Sequence, residues 1–214
     1  SEPWIKENIP AIIEAWEPGS FGGQAIAEVV RGEINPSGKL TVTFPQHVGQ
    51  VPMVYNHKPS VFFHDYIDSP SKPLWHFGYG LSYTSFSYEN LELASLGSGE
   101  DYVIEVKVNV TNTGKMFGDE VVQLYIRDEV SSASRPVKEL KGYKRVSLQP
   151  GESKTVTFLL SAADLAFYDI NMNYCVEAGT FKIMIGGSSA DEDLVASTIE
   201  LNETFTLPNS AQNL

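Results

Sequence analysis

Carboxylate pairs are the side chains of this sequence that could act as nucleophile, acid and base, a chemistry that needs two carboxyl groups at a fixed separation. The candidates are Asp65 with Asp68, Asp128 with Glu129, and the run from Asp191 to Asp193. The last two groups fall in turn-like loops, where charged side chains keep a turn hydrated. Nothing in the first pair distinguishes an acid from a nucleophile. We therefore assign no catalytic residue within the chain and interpret these carboxylates as structural.

All four histidines fall in one irregular segment: His47, His57, His64 and His76. None belongs to a closely spaced HExxH pair, which argues against a zinc site. His57 lies between Asn56 and Lys58 and could bond a hydroxylated ligand, or its ring could be satisfied by the loop backbone. The sequence predicts no metal and no cofactor.

Serine, glycine and cysteine motifs add no second chemistry. The sequence has no GxSxG elbow, and Gly78–Tyr83 (GYGLSY) lacks the glycine, lysine and helix of a phosphate-binding loop. Cys175 is the single cysteine, so the chain has no internal disulfide, and we expect a small buried apolar residue. Asn109 and Asn202 begin Asn-x-Thr triplets, which matter only where the source glycosylates.

The chain has 214 residues with 27 acidic and 15 basic side chains, a formal charge of −12. This sign argues against binding to nucleic acid or to an anionic membrane surface, because both would repel it. No stretch approaches the roughly 18 apolar residues of a membrane span. The sequence opens with Ser-Glu-Pro-Trp and shows no signal-peptide pattern, and we expect this start to be a cut within a longer protein.

The elements that must position these side chains begin with a mixed pattern. Ala11–Trp16 is a short apolar run that predicts a buried strand. Residues 24–31 have apolar side chains at helical spacing, with Gly32 at the expected C-cap. Leu40–Phe44 alternates and predicts a second strand. Together they form one βαβ unit, which cannot cover both of its faces alone. The long segment that follows, to about Tyr83, is rich in turn formers and aromatic residues and is predicted to be a packed or functional loop.

After Phe86 the sequence alternates apolar and polar residues, the pattern of half-buried strands. The predicted strands are 86–93, 102–110, 120–127, 146–148, 156–158, 181–185 and 195–201. About seven short strands separated by turns indicate an immunoglobulin-like sandwich, and the lack of a Cys–Trp–Cys pattern favours its fibronectin type III-like form. The predicted fold class is therefore an α+β chain, a partial α/β sandwich followed by an all-β sandwich.

Several runs of the sequence, taken in order, resemble glycoside hydrolase family 3, the β-glucosidase and β-xylosidase family. They are AIIEAWEPGSFGGQAIAEVVRGEINPSGKLTVTFP (11–45), VPMVYNHKPS (51–60), PLWHFGYGLSYTSF (73–86), VTNTGKMFGDEVVQLYIRD (110–128), RPVKELKGYKRVSLQPGES (135–153) and AGTFKIMIGGSS (178–189). A single run such as PSGKL is weak, but the ordered set covers most of the chain and is specific. The YNHKPS and FGYGLSYT runs are most similar to bacterial, often periplasmic, members.

The resemblance implies a barrel, an α/β sandwich and a fibronectin type III-like domain, in that order along the whole protein. On this template residues 1–70 are the C-terminal part of the α/β sandwich and 71–86 are the connector. Residues 87–208 are the fibronectin type III-like sandwich, and 209–214 are a frayed tail. The lone βαβ unit would then have its missing sheet neighbours upstream.

The resemblance also implies retaining hydrolysis by an aspartate nucleophile of the barrel and a glutamate acid/base of the α/β domain. Both lie before the AIIEAWEPG run, so the chain alone is predicted to be inactive. In the loop 51–68, Tyr55 and Phe63 are candidates for stacking on a sugar, and Asn56 and His57 for bonding its hydroxyls. The Arg-Tyr pair that the family often shows after the YNHKPS run has no arginine here, where the matching stretch is Phe63-His64-Asp65-Tyr66.

The partners that the resemblance implies are β-linked glucosides or oligosaccharides and the missing barrel and α/β portions, and a homodimer is compatible with it. The implied location is periplasmic or secreted, with the targeting signal upstream. The alternative is a stand-alone, non-catalytic fibronectin-like module for carbohydrate binding or adhesion, with exposed aromatic side chains such as Tyr125, Tyr143 or Tyr168 as contacts. An upstream reading frame that encodes a barrel would exclude this alternative.

Overall fold

The computed structural model describes residues 3–59, 65, 67 and 69–208. Its helices are α1 (Pro3–Asn8), α2 (Gly22–Val30) and α3 (Ala162–Leu165), and short 3-10 turns occur at Val48–Gln50, Gly99–Asp101 and Asp191–Asp193. Its strands are β1 (Phe86–Leu96), β2 (Val103–Asn112), β3 (Gly118–Asp128), β4 (Glu139–Leu148), β5 (Ser153–Ser161), β6 (Phe167–Tyr168), β7 (Tyr174–Val176), β8 (Gly179–Gly186), β9 (Leu194–Leu201) and β10 (Phe205–Thr206). Every described strand therefore lies after the long loop, from Phe86 onward.

The long strands form two antiparallel sheets that face each other as a sandwich. One sheet has three strands in the order β1-β2-β5, and the other has four in the order β4-β3-β8-β9. A further three-stranded sheet, β10-β7-β6, contacts the core through Phe205, whose ring centroid lies 6.2 Å from that of Tyr102. The predicted fibronectin type III-like sandwich is confirmed.

Alternating side chains fill the space between the sheets because neighbouring residues of a strand point to opposite faces. On β2, Ile104, Val106, Val108 and Val110 are all fully buried, while the residues between them remain partly exposed. Full burial of such aliphatic side chains stabilises the fold by about 1.5–3 kcal/mol each. Each of the seven predicted strands is present, although β4 begins earlier than the sequence pattern indicates.

The central strand β3 is buried on both faces rather than one. Leu124 and Ile126 point into the core, and Gln123 and Tyr125 on the opposite face are also covered, at 3% and 0% exposure. The cover is the chain around Tyr55, whose ring centroid lies 5.8 Å from that of Tyr125. The expectation that Tyr125 is an exposed binding aromatic is therefore wrong.

The predicted helix of the βαβ unit is confirmed as α2, but its two flanking strands are wrong as strands within this chain. Neither Ala11–Trp16 nor Leu40–Phe44 forms a ladder in the described residues. The single ladder contact there is an antiparallel bridge between Phe44 and Trp75. A strand needs a continuous hydrogen-bonded neighbour. Leu40–Phe44 has backbone bonds to the connector only at its two ends, Leu40 and Phe44, and no described backbone bond joins Ala11–Trp16 to another segment.

Candidate functional site

Tyr55, in the predicted substrate loop 51–68, lies against the sandwich. Its ring stacks on Phe77, with centroids 4.3 Å apart and planes 19° apart, and meets the Tyr125 ring edge-on. Its hydroxyl oxygen accepts a hydrogen bond from the backbone N–H of Leu140, at 3.3 Å. Tyr55 therefore anchors the loop to β3 and β4, while its role in sugar stacking stays a prediction.

Asn56 and His57 follow this anchor directly. Asn56 is exposed, and the His57 carbonyl accepts a hydrogen bond from the N–H of Val137, at 2.9 Å. The His57 ring places Nδ1 3.1 Å from the Lys58 carbonyl, a separation that suits donation when Nδ1 carries the proton. The loop therefore holds an exposed amide beside an imidazole, both of which can bond hydroxyl groups. Phe63, the other nominated residue, lies outside the described residues.

Glutamine side chains that the sequence did not single out organise the rest of the loop. Gln50 is 5% exposed, and its amide donates to the Pro70 carbonyl at 2.8 Å while its oxygen accepts from the N–H of Gln46 at 2.6 Å. The amide of Gln46 in turn reaches the Lys72 carbonyl at 3.4 Å. These bonds fasten the described segments on either side of the loop, residues 46–50 and 70–72, to each other.

Gln123 joins the sandwich to the connector below the loop. Its amide N–H groups donate to the carbonyls of Gly78 at 3.1 Å and Gly187 at 2.6 Å, and its oxygen accepts from the Tyr125 hydroxyl at 2.5 Å. Gly78 has a φ of +78°, and a Cβ at this position would lie 2.0 Å from the Gln123 oxygen. Only glycine therefore fits where the connector approaches this side chain.

A buried ion pair forms a second contact, between the N-terminal part of the chain and the sandwich. Lys39 Nζ lies 3.2 Å from Glu120 Oε1, with side chains 14% and 5% exposed. The same oxygen accepts a hydrogen bond from the Tyr88 hydroxyl at 2.7 Å. Burial, reinforced by the negative charge of Glu120, raises the pKa of Tyr88 well above its usual value, so the phenol stays protonated and donates. An open groove of about 530 Å³ lies beside this joint, and Tyr79, together with Lys39, Tyr88 and Glu120, forms part of its wall.

Several of the remaining carboxylates have structural partners. Asp65 accepts hydrogen bonds from the N–H and hydroxyl of Ser71, at 2.8 and 3.2 Å, and Glu14 accepts from the N–H of Trp16 at 3.1 Å. Asp191 pairs with Lys138 at 2.8 Å. Asp68 lies outside the described residues. Within the described ranges no cluster of three or more His, Cys, Asp or Glu side chains could hold a metal ion.

Asp128 is the exception among the carboxylates because it is buried without a close cation. Its side chain is 2% exposed, and Oδ2 lies 3.9 Å from Arg135 Nη1, beyond hydrogen-bonding distance. Arg135 is committed elsewhere, at 2.7 Å to Glu139 and 3.1 Å to the Leu165 carbonyl. Burial raises the pKa of Asp128 to about 6, and the Arg135 charge only partly opposes this effect.

An apolar surface remains uncovered in the N-terminal part of the chain. Eight large apolar side chains between residues 9 and 42 are 42–79% exposed: Ile9, Ile12, Ile13, Trp16, Phe21, Val30, Ile34 and Val42. We call this set the N-terminal apolar surface. A large area of exposed apolar side chains is typical of a surface that another protein segment covers. By contrast Cys175 is buried, as predicted, and burial raises the pKa of its thiol.

The described helices include none that is long and apolar enough to cross a membrane.

Two family models match the chain. Residues 1–83 match the glycosyl hydrolase family 3 C-terminal domain, and residues 120–189 match the fibronectin type III-like domain. The region between them holds β1, β2 and the start of β3, which belong to the same sandwich.

Similar proteins are named glycosidases. A β-xylosidase of Formosa agariphila is 46% identical over 89% of this chain and 27% of its own length. A periplasmic β-glucosidase of Salmonella typhimurium is 44% identical over 84% of this chain and 25% of its own length. A β-glucosidase structure from Erythrobacter marinus aligns with a TM-score of 0.86 at 44% identity, over 92% of this chain and 26% of that one. The chain thus spans about a quarter of the length of these relatives.

Proposed function

The chain belongs to glycoside hydrolase family 3, and we propose that it is the C-terminal portion of a retaining, exo-acting β-glycosidase that cleaves terminal β-linked glucosides. The relatives are hydrolases of which it matches only about a quarter, which supports a part of an enzyme rather than a whole one. The stand-alone binding or adhesion module is not favoured, because the matching proteins are named β-glucosidases and β-xylosidases.

The N-terminal apolar surface is the observation that supports this proposal. Helix α2 and its flanking segments expose Trp16, Phe21 and Val30 at 56%, 79% and 68%. Covering each such side chain would contribute about 1.5–3 kcal/mol, so leaving all of them in water is costly. The preceding part of the enzyme would supply the covering layer and the neighbouring strands for Ala11–Trp16 and Leu40–Phe44. Residues 1–70 would then complete the α/β domain, and 87–208 would brace it.

The proposed chemistry divides between this chain and the part before it. A carboxylate outside this chain attacks the anomeric carbon as the bond to the leaving oxygen breaks, and a second carboxyl group protonates that oxygen. Water, deprotonated by the same second group, then releases the sugar. From this chain Asn56 and His57 would bond sugar hydroxyls, and Tyr55 and Phe63 are the candidates for stacking. The enzyme needs no cofactor for these steps.

A relative that is named periplasmic supports a periplasmic or secreted location for the enzyme. The net charge of −12 suits a soluble protein that binds a neutral substrate and neither nucleic acid nor a membrane surface. A homodimer is compatible with the sandwich as a brace against a neighbouring subunit.

The test is an activity assay on two purified proteins: the isolated 214-residue chain and the longer protein that contains it with its preceding portion. The substrates are 4-nitrophenyl β-glucoside and, as the matched comparison, 4-nitrophenyl β-xyloside. We expect hydrolysis of the glucoside by the longer protein only. A faster rate on the xyloside would identify xylose, not glucose, as the preferred sugar. Hydrolysis by the isolated chain would refute the proposal that the catalytic carboxylates lie outside it.

A further inference from the structure

We infer that Gln123 of the sandwich is a positioning residue for the substrate loop, which gives the fibronectin type III-like domain a direct influence on substrate binding. This inference rests on the proposed function, since it concerns how Asn56 and His57 are held for the sugar. Gln123 itself lies under the loop and touches no substrate. It acts through the connector and through the aromatic stack below Tyr55.

First, Gln123 bonds two segments that are remote from it in sequence. Its side chain is 3% exposed on the outer face of β3, and its amide donates to the carbonyls of Gly78 and Gly187, which are 45 and 64 residues away. One carbonyl belongs to the connector and the other to the loop after β8. The glutamine therefore fixes the connector against two strands of the sheet at once.

The second step is the coupling from Gly78 to the loop. Phe77, the neighbour of Gly78, stacks on the ring of Tyr55, and its carbonyl accepts from the N–H of Ser189 at 2.9 Å. The Tyr125 hydroxyl donates to Gln123 while its ring packs edge-on against Tyr55. A shift of Gly78 moves the neighbouring Phe77 ring, and a shift of Tyr125 moves its own ring. Both rings contact Tyr55, which directly precedes Asn56 and His57.

The third step is the cost of misplacing the loop. Hydrogen bonds from a loop to substrate hydroxyls need donor–acceptor distances of about 2.7–3.2 Å, so a displacement of about 1 Å removes them. Groups that bond the sugar equally in the ground state and the transition state affect KM rather than kcat. Loss of the Gln123 bonds is therefore expected to raise KM for the glucoside while kcat changes little.

The variant Gln123→Met keeps the size of the side chain and removes its hydrogen bonds. The matched control is Asn112→Leu, since Asn112 is a buried amide that likewise donates to two carbonyls, of Met116 at 2.8 Å and Leu148 at 3.0 Å. Asn112 bonds the connector at Thr84, near its end, rather than at Phe77 or Gly78, so the control separates general loosening of the connector from loss of the bond below Tyr55. Both variants should lower the Tm of the enzyme, but only Gln123→Met should raise KM, by about fivefold or more. Equal KM values in Gln123→Met, Asn112→Leu and the parent enzyme would overturn the inference.

A second measurement does not depend on activity. Amide hydrogen exchange of the 214-residue chain is read at two donors, the N–H of Val137, which bonds the His57 carbonyl at 2.9 Å, and the N–H of Ser189, which bonds the Phe77 carbonyl at 2.9 Å. Exchange there should accelerate by about tenfold in Gln123→Met and stay unchanged in Asn112→Leu. Unchanged exchange in both would overturn the positioning role even if the longer protein proves not to be a glycosidase. Absence of hydrolysis by the parent protein, with accelerated exchange in the variant, would instead refute only the proposed function.

Discussion

Asp128 should contribute more stability to the folded chain in acid than at neutral pH, which is the reverse of a salt-bridged carboxylate. Burial raises its pKa from the ordinary 3.8 to about 6. The folded state therefore binds more protons than the unfolded state between these values. The stabilisation is fully present below about pH 4, declines as the pH rises through 6, and is absent above it.

The magnitude follows from the size of this shift. A difference of about two pKa units corresponds to about 3 kcal/mol of unfolding free energy, as an upper limit, between pH 4 and pH 7. The variant Asp128→Asn resembles the protonated side chain and leaves Arg135 its bonds to Glu139 and Leu165. We expect Asp128→Asn to be about 1–3 kcal/mol more stable than the parent at pH 7 and nearly equal to it at pH 4.

The assay is urea unfolding of the isolated chain at several pH values, taken as the difference between variant and parent so that other titrating groups cancel. Asp119→Asn is the control of opposite sign. Although burial works to raise it, bonds from Ser147 and Arg145 hold the pKa of Asp119 below its ordinary value. The stability that Asp119 contributes is present above about pH 4 and is lost below it, so this control should be less stable than the parent by a nearly constant amount between pH 4 and pH 7. A constant difference for Asp128→Asn, or one that favours the parent at neutral pH, would refute the reasoning.

Three further predictions concern the joints and the exposed surface. Lys39→Met should cost about 3–5 kcal/mol because it leaves Glu120 buried without its cation. The added change Glu120→Leu should recover only part of this loss in a double-mutant cycle, because the Tyr88 hydroxyl then loses its acceptor. Gly78→Ala should destabilise the chain by about 1–3 kcal/mol or more, measured by urea unfolding, because of its positive φ and the clash with Gln123. Phe21→Ser, at a side chain 79% exposed, should reduce aggregation of the isolated chain in light scattering while its Tm stays within about 2 °C.

The sandwich could be predicted from the sequence because its signal is local. Alternation along β2 places Ile104, Val106 and Val108 on one face, and this alternation alone identifies the strand and its buried side. The small sheet β10-β7-β6 was missed because strands of two or three residues are too short to show a period.

The joints could not be predicted because their partners are remote in sequence. Lys39 and Glu120 are 81 residues apart, and Gln123 and Gly78 are 45 apart. No periodic pattern reports such pairs, and the buried Tyr125 gave the same signal as an exposed strand tyrosine. Likewise Ala11–Trp16 has the composition of a strand, but strand formation depends on a neighbour that the described residues do not provide.

We propose that the reacting carboxylates belong to the part of the enzyme outside this chain. The most direct measurement is covalent labelling of the longer protein with a 2-deoxy-2-fluoro-β-glucoside that carries a good leaving group, followed by digestion and peptide mass spectrometry. A retaining enzyme accumulates the glycosyl adduct on its nucleophile. We predict a single labelled aspartate, which lies outside these 214 residues. An adduct on a carboxylate within them, such as Asp65 or Asp128, would contradict it.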